Sequence, residues 1–232
     1  NTSYAEPKRT FDTNVGGTVN VLEAIRATKG VQAFVGVTTD KVYEDQSRMD
    51  PQWVWGHREN DILGGYDPYS ASKAMVELAI QAYRRSWGEQ WQENGSKHSF
   101  ADHAVCVASA RAGNVIGGGD FSEYRLVPDC MKALMKGTPI LLRNPSAVRP
   151  WQHVLEPLGA YLWLAANLLK RPDERFAEAW NFGPPDKQAI TCETMAKKAI
   201  SFWGEGSYRT TRADTTKTHE RAVLKLNWEK AA

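Results

Sequence analysis

The sequence predicts an α/β fold: a doubly wound parallel sheet with crossover helices, joined to a smaller α/β lobe. Three observations predict it. Apolar residues recur at three- and four-residue steps in two long segments, Phe11 to Lys29 and Tyr69 to Arg85. Short apolar runs, Val31 to Val37 and Ala104 to Ala110, alternate with those segments, which is how strands of a parallel sheet read between their helices. After Gly119 the rhythm shortens into smaller helices and strands, the mark of a second lobe.

In the first helix Val15, Val19, Leu22 and Ile25 form the apolar stripe, Asp12 or Thr13 is placed to cap its start, and Gly30 ends it. The strand Val31–Val37 then runs into Thr38-Thr39-Asp40-Lys41, which sets a hydroxyl, a carboxylate and an ammonium side by side at a strand end. Residues 44–68 hold Pro, Gly, Asn and Asp in a stretch too long for a plain connection, and such loops are usually functional or disordered. In the second helix Met75, Leu78, Ala79 and Ala82 share a face. Glu89 to Asp102 is polar and reads as a surface insertion. The strand Ala104–Ala110 leads into Arg111-Ala112-Gly113-Asn114. Beyond it come a helix from Leu126 to Lys136, a strand from Ile140 to Arg143, a helix from Leu155 to Leu169, a strand from Ala179 to Phe182 and a helix from Thr191 to Trp203. These later pieces are expected to form the smaller lobe, with a domain boundary after residue 122. No internal repeat or low-complexity tract is present.

Bulk composition fits a globular protein and excludes several functions. The 232 residues are 42% hydrophobic and 24% charged, and the formal net charge of +2 makes no electrostatic case for nucleic acid. Cys106, Cys130 and Cys192 lie far apart with no CxxC spacing, so they read as reduced thiols of a cytoplasmic protein rather than zinc ligands. His57, His153 and His219 have no acidic or cysteine partners at ligand spacing, and no metal is expected. The apolar run Tyr161–Ala166 is too short to span a bilayer, and no membrane partner is expected.

Tyr69-Ser70-Ala71-Ser72-Lys73 places a phenol and an amine four residues apart on one helical face. An ammonium beside a phenol favours the phenolate and lowers its pKa from about 10, giving a general base for an alcohol proton. This helix opens after a long loop, and the strand before it ends in Thr39-Asp40-Lys41. Strand carboxyl ends are where parallel sheets bind ligands.

These stretches together resemble the extended short-chain dehydrogenase/reductase family, and within it the nucleotide-sugar 4,6-dehydratases. The resemblance runs from Thr13-Asn14-Val15-Gly16-Gly17-Thr18 through TTDKVY, YSASK and RAGNVIGGGD to Leu224-Lys225-Leu226. Trp53–Asp61, Gly64–Tyr69 and Arg149–Pro157 are similar to the members that act on CDP-glucose rather than dTDP-glucose or GDP-mannose. The resemblance implies a Rossmann-like sheet and NAD as cofactor. It implies that Tyr69, aided by Lys73, takes the O4 proton; that Asp40 is the acid toward O6; that Lys41 is the base toward C5; and that Thr39 hydrogen-bonds the sugar. A lysine base must be neutral, which burial or nearby positive charge would bring about. The resemblance further implies cofactor contacts from Thr38, Tyr69, Lys73, Ala112 and Asn114. Nucleotide-sugar contacts are implied for Thr39, Asn114, Arg125, Leu126, Arg149 and Asn181, with Arg149 gripping the phosphates. Asn14 matches a family position, though a helix cap explains it equally well.

Gly113, Gly117, Gly118 and Gly119 do not form a phosphate loop, because they follow a late strand and do not run into a helix. The glycine-rich dinucleotide fingerprint is absent from the chain, as is the acidic residue expected on the adenosine ribose. The expectation is therefore an internal fragment that lacks the first half of the Rossmann sheet, roughly three βα units of about 30 residues. Such a piece is expected to be inactive alone, and the full-length form to be a homodimer or higher homo-oligomer. Two alternatives remain: a 4-epimerase of the same family, which needs no acid–base pair for elimination, and a non-catalytic NAD-binding protein, which has no use for a tuned phenol.

Overall fold

The computed structural model describes residues 2–46, 55–87, 105–170, 175–185, 189–210 and 223–232. Three parallel strands form the central sheet: β1 (Ala33–Val37), β2 (Cys106–Ala112) and β7 (Ala179–Phe182), in the order β1-β2-β7. Every residue of β2 is buried, because a central parallel strand is covered on both faces. Its two rows differ. Val107, with Val105 just before the strand, meets Leu22 and Ile25 of α3 (Gly17–Ala27) and Val76 and Ile80 of α4 (Pro68–Trp87). Cys106, Ala108 and Ala110 meet Leu164 and Leu168 of α6 (Leu155–Lys170) on the opposite face. Helices on both faces make the sheet doubly wound, as expected.

The chain reaches α3 through α1 (Thr2–Ala5), α2 (Pro7–Phe11) and a wider π-type turn over Asp12–Gly16. The expected cap at Asp12 or Thr13 is therefore not formed: both positions lie within continuous helical backbone, and Asp12 instead pairs with Lys8 one turn earlier at 2.5 Å. Asn14 is no cap either, since its side-chain amide donates to Ser72 Oγ of α4 at 2.8 Å.

The smaller lobe is built on Cys130 and Leu134 of α5 (Leu126–Met135), Ile140 and Leu142 of β4 (Ile140–Leu142), and Ala196 of α7 (Cys192–Trp203). β4 pairs in parallel with β9 (Tyr208–Thr210). Thr191 caps α7 by accepting from Thr194 N at 3.1 Å, and Gly204 ends it with a φ of 99°. Two-residue strands tie the lobe to the sheet: β3 (Val115–Ile116) pairs with β6 (Gln152–His153), and β5 (Val148–Arg149) with β8 (Ile190–Thr191).

The expected boundary after residue 122 is crossed by the fold. α6 and β7 belong to the layers of the main sheet, so the chain leaves for the lobe after β3, returns for α6 and β7, and leaves again. The expected insertion at Glu89–Asp102, together with Trp53 and His219, lies outside the described residues. Among the described residues no helix is long and apolar enough to cross a membrane.

Candidate active site

The carboxyl ends of β1 and β2 face the smaller lobe across a cleft of about 1650 Å³. That is more than the 300–1,000 Å³ or so typical of a site for one drug-sized molecule. Thr38, Thr39, Asp40, Lys41, Tyr69, Ala112, Asn114, Arg125, Leu126 and Arg149 all line it. Residues from the sheet and from the lobe thus meet around one space, although they come from segments far apart in the chain.

β1 ends because the backbone turns at Asp40–Val42 into a single tight helical turn. Thr39 caps this turn: its hydroxyl accepts from Lys41 N at 3.4 Å and donates to Asp40 Oδ1 at 3.1 Å. Asp40 is buried whereas Lys41 is exposed. The burial expected of Lys41 is therefore not found, and nearby positive charge is the other route expected. Across the cleft mouth, Gly113 allows the loop after β2 to come close. A Cβ there would strike Pro150 Cγ at 2.6 Å and stand 3.3 Å from Asp40 Oδ2.

α4 starts at the same level. Asp67 caps it by accepting from Tyr69 N at 3.0 Å, Ser70 N at 3.1 Å and Ser70 Oγ at 2.5 Å. Gly65, at φ 142°, lies so close to the first turn that a Cβ would stand 2.4 Å from Ala71 N. Ser72 adds a further tie, donating to Tyr69 O at 2.7 Å while it accepts from Asn14.

The Tyr69 phenol lies in the cleft beside Thr39 and Asp40. Burial, and after it the neighbouring Asp40 charge, raise the phenol above the ordinary tyrosine value, while the Thr39 hydroxyl and Arg125 act in the opposite direction. The expected lowering by Lys73 does not occur. Lys73 stands a turn deeper, outside the cleft lining, and donates to Val37 O at 3.4 Å. Its own pKa is lowered, burial being the cause and Glu77 opposing it.

Of the expected substrate contacts Arg149, Asn181 and Arg125, Asn181 stands away from the cleft. Arg149 is buried and lines the cleft, where Nη1 donates to Val148 O at 2.8 Å. Asn181 is fully buried and does not line the cleft; it accepts from Tyr43 Oη at 2.7 Å and donates to His57 O at 2.8 Å. It joins the loop around residues 55–61 to β7 rather than meeting a ligand. Arg125 is exposed and pairs with Asp120 at 3.5 Å.

One cluster was not foreseen. Glu77 accepts from Ser109 Oγ at 2.7 Å and Arg111 Nη2 at 2.8 Å, and from the Thr38 hydroxyl. A carboxylate two helical steps below Tyr69 and a lone arginine in an apolar strand were the signals that could have found it.

A family model described as "NAD dependent epimerase/dehydratase family" matches residues 1–182. CDP-glucose 4,6-dehydratase of Salmonella typhimurium is 41% identical over 229 residues, covering 99% of this chain and 60% of that protein. The chain thus spans about 60% of the length of this curated relative. Among solved structures, a dTDP-glucose 4,6-dehydratase of Streptomyces venezuelae with NAD bound aligns with a TM-score of 0.73 at 22% identity, over 99% of this chain and 61% of that one. UDP-glucose 4-epimerase of Thermus thermophilus, in complex with NAD, aligns with a TM-score of 0.75 at 21% identity, over 99% and 66%. At these identities the structural likeness shows the fold.

Proposed function

Since the chain belongs to the NAD dependent epimerase/dehydratase family, we propose that it carries the catalytic centre of a nucleotide-sugar 4,6-dehydratase. We take CDP-glucose as the substrate, which is converted to the 4-keto-6-deoxy sugar. The observation that carries the reading is the convergence of Tyr69, Thr39 and Asp40. A phenol, a hydroxyl and a buried carboxylate that the hydroxyl bonds share one cleft at the end of a parallel strand.

Tyr69 takes the O4 proton, with Thr39 holding the same oxygen. Asp40 delivers a proton to the departing C6 hydroxyl, and Lys41, on the exposed side of the turn, takes the proton from C5. Elimination needs both of these last two groups, whereas epimerisation needs neither. Asn114, Arg125, Leu126 and Arg149 line the part of the cleft that receives the nucleotide diphosphate, where a guanidinium suits phosphate oxygens.

The donor set also fits the nicotinamide end of NAD: the Tyr69 phenol, with Ala112 and Asn114, surrounds the strand ends, and Lys73 stands behind. Bound there, NAD would supply the hydride acceptor for C4 and the donor for C6. The sequence similarity to the Salmonella protein over 99% of the chain supports CDP-glucose. Incubating the protein that contains residues 1–232 with CDP-glucose and NAD tests the proposal. A 4-keto-6-deoxy product is expected; a 4-epimer in its place would sink the reading.

A further inference from the structure

The Thr39–Asp40–Lys41 turn is held from both ends by one buried ion pair that no part of the chemistry above uses. Thr38, directly before the turn, donates its hydroxyl to Glu77 of α4. Tyr43, two residues after it, accepts from Arg111 Nη1 at 2.7 Å. Glu77 and Arg111 join each other at 2.8 Å, and both are almost wholly buried.

The pair has further ties. Ser109 donates to Glu77. Arg111 Nη1 also donates to Glu59 O at 3.0 Å, and Asn181 N donates to Glu59 Oε1 at 2.9 Å. The Tyr43 ring stacks on His57 at 4.7 Å with 5° between planes. The placement follows from the pleat: the row of β2 that faces α4 runs Val105, Val107, Ser109, Arg111, turning polar where it reaches Glu77. On α4, Tyr69, Lys73 and Glu77 recur every four residues, so the carboxylate lies on the phenol's side of the helix, two turns down.

We propose that Glu77 and Arg111 are positioning residues. As one clamp they hold Thr38 and Tyr43, and so fix the Thr39–Asp40–Lys41 turn against Tyr69. A carboxylate and a guanidinium at the core cost desolvation that well-packed apolar residues would avoid, so stability alone is a weak reason for them. What they do is set one position for both ends of a reactive turn, and a misplacement of about 1 Å in such a site can cost on the order of 10²-fold in rate.

The inference rests on the dehydratase reading for its kinetic consequence but not for its structural one. Its test uses the protein that contains residues 1–232. Glu77→Gln is expected to lower kcat per folded molecule on the order of 10²-fold with KM for the nucleotide sugar unchanged. Thr38→Val is expected to lower kcat less, and the double variant no more than Glu77→Gln alone, because both cut the same link.

Hydrogen exchange reads the clamp without any activity. In Glu77→Gln the segment 38–43 should exchange faster, while α6 and α7 keep wild-type protection. If Glu77→Gln fails to fold, Tyr43→Phe, which removes the Arg111 and Asn181 bonds at the other end, takes its place with the same expected outcome. Wild-type turnover per folded molecule, or exchange that rises evenly across the chain, overturns the proposal. If the wild-type protein gives no dehydration with any nucleotide hexose, the functional reading falls and the exchange pattern alone decides the clamp.

Discussion

Tyr69 shows how strongly the environment of one group can outweigh its spacing. The YSASK pattern predicts a phenol acidified by Lys73, yet the structure leaves it less acidic than an ordinary tyrosine, because burial and the Asp40 charge both oppose the phenolate. The sign of one consequence follows directly. A base with a raised pKa is mostly protonated at neutral pH, so proton removal at O4 should quicken as pH rises toward that pKa. Asp40→Asn removes a contribution that raises it, so the limb should move to lower pH. The same change should slow dehydration by about 10²–10⁴-fold, because the acid toward O6 is gone. Single-turnover reduction of the cofactor against pH checks both parts, and a limb that stays in place would assign it to a group other than Tyr69. Lys41 gives a separate test. Being exposed, it can become Met with a stability change within about 0.5 kcal/mol. Dehydration should then fall by at least about 10²-fold while oxidation at C4 continues. Full dehydration by Lys41→Met would remove it from the mechanism.

Among the elements, α4 does most to place the site, and its start depends on Asp67. Three donors converge on that one carboxylate, so Asp67→Ala should cost about 1 kcal/mol of stability. The midpoint of urea unfolding, with the slope unchanged, reads this; no change would mean that water replaces the cap. α4 was legible in the sequence because its stripe repeats within a few residues of itself, and β2 because a central parallel strand must be apolar on both faces. The role of Asn181 was not legible. As a strand-end asparagine it suited a ligand contact, but its partners Tyr43 and His57 lie 138 and 124 residues away in sequence. No local pattern encodes such pairings. The domain boundary was missed for the same reason: β7 joins β2 through register with a strand some seventy residues earlier, which composition around residue 122 does not reveal. The Glu77–Arg111 pair lies between these cases. Each half was visible as a charge in an apolar setting, but only the fold shows that they meet.

At the scale of the molecule, the sheet and the lobe are joined by short strand pairs and face each other across the cleft, so a ligand that touches both sides couples their stability. Tyr69 and Asp40 come from the sheet side, while Arg125 and Leu126 come from the start of α5 in the lobe. A ligand that binds only the folded form adds RT ln(1 + [L]/Kd), about 2.7 kcal/mol at a hundredfold excess over Kd. CDP-glucose should therefore raise the unfolding midpoint of the protein containing residues 1–232, whereas free glucose, which cannot reach the lobe side, should leave it nearly unchanged. Arg125 separates binding from folding in this measurement. Its ion pair to Asp120 lies at the surface, with the Arg125 side chain mostly exposed, and is worth no more than about 1 kcal/mol. Arg125→Ala should thus leave the unliganded midpoint almost where it was and shrink the shift produced by CDP-glucose. Calorimetry with and without the nucleotide sugar decides the matter. An undiminished shift would mean that the lobe holds the diphosphate through Arg149 alone, and that α5 only walls the cleft.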